Sequence, residues 1–303
     1  MDPHLLRTFV AVAECGSFSA AADRLGYTQS AVSQHIAALE HDLGTPLLRR
    51  RPVVATPAGE RLLEHAAPIL LRLDAARADV RRTIADPPGT LTIAASPLAA
   101  ADGRLAIALR EVRRSRPGTE VTLTVCGREA VAEGVAAGEF ALGLVDGVAA
   151  PSDPLRLSDA GSLRTTAVAH QQLVVGFAAD HPLARRRGIS LHDLTNARWI
   201  DAPDLAAPLL TLRTATGSDA LRPALTYAGT DLQTLLTLIA AGHGLAVLPH
   251  SATQIPADPH SSTALPGIAA VPLTAPRLVH RIELLHGHLT EPAASALAAV
   301  LSH

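Results

Sequence analysis

Thr28, Gln29, Ser30, Ser33 and Gln34 place uncharged amides and hydroxyls close together in the run TQSAVSQ, and all five are candidate DNA contacts. Groups of this kind both donate and accept hydrogen bonds, which suits base edges in a major groove and the phosphate oxygens beside them. A second group follows at Arg49, Arg50 and Arg51. Arg50 and Arg51 have the charge and reach to meet phosphate or a minor groove. The plain alternative for both groups is solvation: a polar face on a helical hairpin, and an arginine run in water.

The elements that would position these residues are legible around them. Ser17 and Ser19 can each cap a helix, and AAADRL behind them is made of good helix formers. Gly26 supplies the left-handed stop, and Thr28 caps a second helix that begins at Gln29 and ends near Leu43-Gly44. Ala22, Leu25, Val32, Ile36 and Leu39 give the two helices a shared apolar seam, with a small alanine where the backbones approach, as a helix-turn-helix requires. Leu5, Leu6, Phe9, Val10, Val12 and Ala13 recur at helical spacing and predict a covering helix before the pair. TPLLRRRPVVAT then reads as two short strands and a turn, a wing.

Thr56-Pro57 starts a long helix, with an N-cap, proline at the first helical position and Glu60 in the first turn. It is expected to run to about Ala85, with Pro68 as a point of bending. Leu62, Ala66, Ile69, Leu73, Ala76 and Val80 recur at alternating steps of four and three, the period of a coiled-coil seam. Either this helix pairs with its twin in a dimer, or it packs on the C-terminal part of the chain.

The 303 residues suffice for a small module and a two-lobed domain, and 48% hydrophobic with 18% charged residues is the balance of a soluble globular protein. Four Phe, two Tyr and one Trp leave the cores to Ala, Leu and Val. All 26 basic residues are arginine, and the net charge of −2 means that any nucleic-acid footprint is local. The N-terminus, with Asp2, Arg7 and Glu14, is neither a secretory signal nor a membrane span, which points to the cytoplasm. Cys15 and Cys126 are too far apart to suggest a disulfide, and the 14 histidines show no metal-ligand spacing. No cofactor or metal is expected.

DPPGT at Asp86–Thr90 is the clearest linker. Beyond it LTIAAS, TEVTLTVC and FALGLV read as parallel strands, with helices over 104–115 and 130–137. A second lobe begins near Leu173 with LVVGFAA and continues through ARWIDAP, ALTYAG and GLAVLP; LVHRIELLHG and a helix after Thr290 return to the first. In open α/β sheets ligands sit beyond the carboxyl ends of strands, at helix N-termini. Ser96-Pro97, Gly127-Arg128 and Thr230, with Gln233 completing a capping box, are three such points, each of which is also explained as a plain cap or surface residue. Cys126 falls near the same region, as a redox group or as a small buried residue.

From Leu5 to Glu64 the features FVAVAECGSFSAAADRL, TQSAVSQHIAALEHDLG, TPLL with a following arginine, and TPAGE resemble the N-terminal module of LysR-type transcriptional regulators, and the length and layout of the chain agree. The wing is about two residues shorter than the usual pattern of the family and Leu48 replaces a common phenylalanine, while Arg50 matches a familiar arginine. The resemblance implies an α/β protein: a winged helix-turn-helix at 1–57, a linker and dimerisation helix at 58–86, and a two-lobed domain at 87–303 like the periplasmic solute-binding proteins. It places lobe I at 90–165 and 275–303 and lobe II at 166–274, with crossovers near Thr165–Ala169 and Val271–Pro276.

It further implies homodimers that assemble into tetramers, double-stranded DNA as partner, and a small-molecule effector in the cleft. Asp201-Ala202-Pro203 matches a pocket-edge position, and Ser96, Leu98, Arg128, Asp201, Pro203 and Thr230 are the expected effector contacts. Such effectors are small metabolites, often carboxylates; Ser96 and Arg128 favour an anion while Asp146 and Asp201 oppose a strongly anionic pocket, so a small polar acid or zwitterion is expected. An α/β enzyme is the competing class, but there is no GxSxG, P-loop or nucleotide-binding glycine signature. A solute-binding protein without DNA contact would leave the first sixty or so residues without a role.

Overall fold

The computed structural model describes residues 1–82, 89–157, 163–254, 267–289 and 291–302. Met1–Ala78 forms one compact unit, and the chain from Asp79 onward contributes the other.

Helix α1 (Pro3–Cys15) is capped by Asp2, whose carboxylate accepts from the His4 amide at 2.7 Å, and stops at Gly16 in the left-handed conformation. Helix α2 (Phe18–Leu25) starts at Ser17, whose hydroxyl accepts from the Ala20 amide, and ends at Gly26 with φ 69°. Helix α3 (Gln29–Leu43) starts at Thr28 and ends at Gly44 with φ 67°. Glycine reaches these positive φ values without the Cβ clash that other residues meet. Strands β1 (Leu48–Arg50) and β2 (Val53–Ala55) pair antiparallel, Leu48 facing Ala55 and Arg50 facing Val53.

Leu6, Phe9, Val12, Ala22, Val32, Ile36, Leu39 and Leu48 form the core of this unit, with Leu25 packed partly against it. Helix α4 (Pro57–Arg82) begins where the Thr56 hydroxyl accepts from the Gly59 amide at 3.1 Å and donates to the Pro46 carbonyl at 2.8 Å. Gly59 is required there, since a Cβ would lie 2.1 Å from the Leu47 carbonyl oxygen. The helix continues through Pro68 to Arg82, and the residues between there and Ala85, like Asp86–Pro88 of the linker, fall outside those described. The heptad seam divides its labour. Ala66 is buried in the module core with Leu62 beside it, while Ile69 and Val80 are 39% and 61% exposed.

In the second unit β3 (Thr90–Ala95), β4 (Glu120–Val125) and β5 (Leu142–Ala149) are parallel, with β3 between the other two. Connecting them are α5 (Pro97–Ala101), α6 (Arg104–Ser115) and α7 (Arg128–Ala137). Strand β6 (Arg164–Ala178) follows, then β7 (Ile189–Ser190), β8 (Trp199–Asp201), α8 (Leu209–Thr216), β9 (Pro223–Thr226), α9 (Leu232–Ala240), β10 (Ala246–Pro249), β11 (Ile268–Ala275), β12 (Val279–His286) and α10 (Pro292–Leu301). The main sheet has the order β4-β3-β5-β12-β6-β11-β7, with β10 also on β6. Strands β8 and β9 form a separate parallel pair.

Strand β6 is the spine of both lobes. Its residues 164–172 pair with β12, whereas Leu173–Ala178 pair with β10 and β11. One passage between lobes therefore lies inside a continuous strand, at Gln172-Leu173, and the other is the turn between β11 and β12. The first lobe buries Leu91, Ile93, Leu105, Val112, Leu284 and Leu297 on one face of its sheet, and Val131, Val135, Val145 and Leu285 on the other. The second buries Phe177, Leu191, Trp199 and Leu212 in one cluster and Val174, Leu205, Leu235, Ile239 and Leu248 in another.

Candidate nucleic-acid interface and effector cleft

The start of α3 is held by its own cap. The Thr28 hydroxyl oxygen accepts from the Ala31 amide at 3.2 Å and lies 3.0 Å from the Ser30 hydroxyl, so Thr28 builds the helix end that presents its neighbours. Gln29, Ser30 and Gln34 are exposed and Ser33 is half-buried. Gln29 with Ser33, and Ser30 with Gln34, stand four residues apart and so share faces of the helix. Among the described residues no intramolecular hydrogen bond engages the Gln29 or Gln34 side chain, and both amides stay available to an outside partner.

Arg49, Arg50 and Arg51 are exposed on the wing, anchored by buried Leu48. The Arg50 guanidinium carbon lies 5.7 Å from the centroid of the Phe18 ring, within cation–π range, which holds this charge beside the first turn of α2. Glu40 joins wing to α3: one carboxylate oxygen accepts from the Leu47 amide at 2.8 Å and the Leu48 amide at 3.2 Å. The sequence held one sign of this. An acidic residue near the C-terminal end of a helix opposes the dipole and calls for another partner. His35 was likewise not singled out; its Nδ1 is 3.0 Å from the buried Thr8 hydroxyl, and Tyr27 meets its ring edge-on.

The cleft residues are differently placed. Ser96 is 1% exposed, and its hydroxyl donates to Asp146 Oδ1 at 2.5 Å while accepting from the Asp146 amide at 2.9 Å. It gives no side-chain cap to the short α5. The other Asp146 oxygen is 2.9 Å from His280 Nε2, and His280 Nδ1 lies 3.5 Å from the Gln171 amide nitrogen. Leu98 is buried in the second-lobe cluster with Ile200, Ala202 and Leu205, and so crosses between the lobes. The Arg128 guanidinium donates to the Asp146 carbonyl at 3.2 Å, over Gly147, where a Cβ would come 2.5 Å from its Nη1.

Asp201 accepts from the Leu209 amide at 3.2 Å at the head of α8, and Pro203 is exposed. Thr230 is exposed but is not the cap of α9. Asp231 is, accepting from the Thr234 amide at 2.9 Å and the Thr234 hydroxyl at 2.5 Å, and the expected capping box with Gln233 gives way to it. In TDLQT the carboxylate sits three residues before Thr234, the spacing that reaches both donors, and those bonds hold the Asp231 carboxyl below its ordinary value. Asp204, which carries no local signal in the sequence, also belongs here; its carboxylate accepts from the Arg128 amide at 3.3 Å. Burial, and then the Asp204 charge, push the Cys126 thiol up from its ordinary value.

The sequence matches the family described as bacterial regulatory helix-turn-helix protein, lysR family, over residues 3–60, and the LysR substrate binding domain over residues 85–302. The chain is a LysR-type transcriptional regulator. It is similar to the HTH-type transcriptional regulator BenM of Acinetobacter baylyi, 30% identical over 263 residues covering 84% of this chain and 82% of BenM. It also resembles CysL of Bacillus subtilis, 28% identical over 249 residues, 82% of this chain and 80% of that one. Full-length BenM superposes with a TM-score of 0.55 at 26% identity, covering 99% of this chain and 95% of the other. Corynebacterium glutamicum OxyR, as a C206 mutant, gives 0.52 at 27% identity, with 99% and 91% covered.

This regulator therefore joins an N-terminal DNA-binding helix-turn-helix to a C-terminal effector-binding domain. Among the described residues no group of three or more His, Cys, Asp or Glu side chains could hold a metal ion, and no helix is long and apolar enough to cross a membrane.

Proposed function

We propose that Gln29, Ser30, Ser33 and Gln34 read base edges in the major groove from a helix end built by Thr28, and that Arg50 and Arg51 hold the wing to the phosphate backbone or minor groove. The supporting observation is the contrast on one small unit: unengaged amides at the head of α3, and exposed guanidinium groups on a wing tied to that helix by Glu40. DNase footprinting of the DNA flanking its gene tests this. Protection of a discrete site supports the reading, and no protection with or without metabolites defeats it.

The effector is a small polar acid or zwitterion held between the lobes by Ser96, Leu98, Arg128, Asp201, Pro203 and Thr230. The regulator works in the cytoplasm as a homodimer, assembling to a tetramer, through the exposed part of the α4 seam at Ile69 and Val80. It turns over no substrate; effector binding shifts a population of lobe arrangements and so the spacing of paired modules or the bend of the DNA. Thermal-shift screening against a metabolite panel identifies the ligand, since specific binding raises stability by mass action. The pushed-up Cys126 thiol argues against a peroxide-sensing role, because the reactive form is the thiolate.

A further inference from the structure

Asp204 stands in the loop after β8, in the second lobe, yet its side chain belongs to the first. Its carboxylate accepts from the amide of Arg128, the first residue of α7. A Cβ built on Gly127 would lie 2.9 Å and 3.0 Å from the two carboxylate oxygens, so the group lies flat over that glycine. The N-terminal end of a helix, with free amides and a positive dipole end, is where an anion is most at home. Gly127 gives α7 no side-chain cap of its own, and the acceptor comes instead from the other side of the cleft. Leu98 makes the matching apolar contact, from the first lobe into the second-lobe core.

We propose that Asp204 is a built-in competitor: its carboxylate occupies the amide site at the head of α7 that an acidic effector takes, so that effector binding and release of this interlobe contact are one event. The proposal rests on the reading of the cleft as the effector site and adds how that site is regulated. The occupant is an anion and the donors are backbone amides beside the Arg128 guanidinium, so the displacing group is a carboxylate. Its apparent affinity is lowered by the fraction of time that Asp204 is docked, a cost that falls when the latch is removed. The Arg128 guanidinium, donating to the Asp146 carbonyl at 3.2 Å, supplies positive charge beside the exchange.

Cys126 is the natural reporter, since the Asp204 charge contributes to the raised pKa of its thiol. In full-length protein carrying Cys15→Ser, iodoacetamide alkylation of Cys126 is followed against pH, with and without Asp204→Ala. The variant should alkylate with a lower pH midpoint, and hydrogen exchange at the first turn of α7 should quicken. Sodium acetate, matched in ionic strength by sodium chloride, should then stabilise Asp204→Ala with an apparent Kd about threefold or more below that of the parent. Gly127→Ala provides a second route to release, because its methyl group displaces the carboxylate while Asp204 remains; it should quicken α7 exchange as Asp204→Ala does but gain no acetate affinity, since the same methyl stands where acetate would lie.

An unchanged alkylation midpoint and unchanged α7 exchange in Asp204→Ala would overturn the latch. Equal acetate response in parent and Asp204→Ala would do the same. Neither readout requires the true effector, so failure here is distinct from failure of the cleft reading, which falls only if no metabolite in the panel stabilises the parent protein.

Discussion

The start of α3 and the interlobe cleft present polar side chains in opposite states. At α3 the side chains of Gln29 and Gln34 are exposed and, among the described residues, make no internal bond, on a helix whose ends are fixed by Thr28 and Gly44. In the cleft Ser96 is bonded to Asp146, Asp201 to the head of α8, and Arg128 to Asp146. A surface meant for a rigid duplex gains from being ready in advance, because little ordering then opposes binding. A switch needs the reverse, two sets of partners of similar strength, so that a ligand preferring one set moves the equilibrium.

The largest effect that would sharpen this contrast is expected at Asp146. Asp146→Ala strands the buried His280 Nε2, at about 1–3 kcal/mol for an unpaired group, and takes from the Ser96 hydroxyl its nearest acceptor, leaving it the Leu144 carbonyl at 3.4 Å. Urea unfolding of the full chain should show that loss in the transition of the effector domain; an unaltered midpoint would mean that the buried network is slack. Next is Glu40→Ala, which deprives the Leu47 and Leu48 amides of their shared acceptor. Destabilisation of about 1–3 kcal/mol is expected, with DNA affinity reduced through a loosened wing. Retained affinity would show that the wing does not need this tie.

Thr28→Ala removes the cap of α3 and should cost about 1 kcal/mol in thermal or chemical unfolding. A much larger loss of DNA selectivity than of stability would move Thr28 from scaffold to contact. The smallest effect concerns pH. The Asp231 carboxyl is held below its ordinary value by its Thr234 bonds. A depressed carboxyl stabilises the fold above its unfolded value, and that contribution disappears as pH falls through the folded value. Thr234→Ala should therefore lower stability slightly at neutral pH, the difference closing in acid; an NMR titration of Asp231 in both proteins checks the direction.

How far the sequence could be read follows the same division. The caps at Ser17 and Thr28, the stops at Gly26 and Gly44, and the seam through Val32, Ile36 and Leu39 are encoded within a few residues of where they act. The α/β pattern is equally plain from its short apolar runs. Strand β6 is not, because RTTAVAHQQ lacks an apolar run and becomes strand by pairing with β12, far along the chain. Thr230 and Asp231 are adjacent and both able to cap, so local sequence does not fix the start of α9 to within one residue. Asp204 carried no local sign at all, since its partner at Arg128 is 76 residues away. Arrangements of this kind arise from tertiary contact, and neither propensity nor periodicity reports them.

The division of labour at the DNA face is tested most directly by binding titrations over a range of salt, using the footprinted site and an unrelated duplex, for Gln29→Ala and Arg50→Ala. Gln29→Ala should lose about 1–3 kcal/mol of discrimination between the two duplexes with the salt slope unchanged. Arg50→Ala should weaken both about equally and reduce the slope by about 1. If the two variants behave alike, α3 does not read bases while the wing grips phosphate, and the account of this face is wrong.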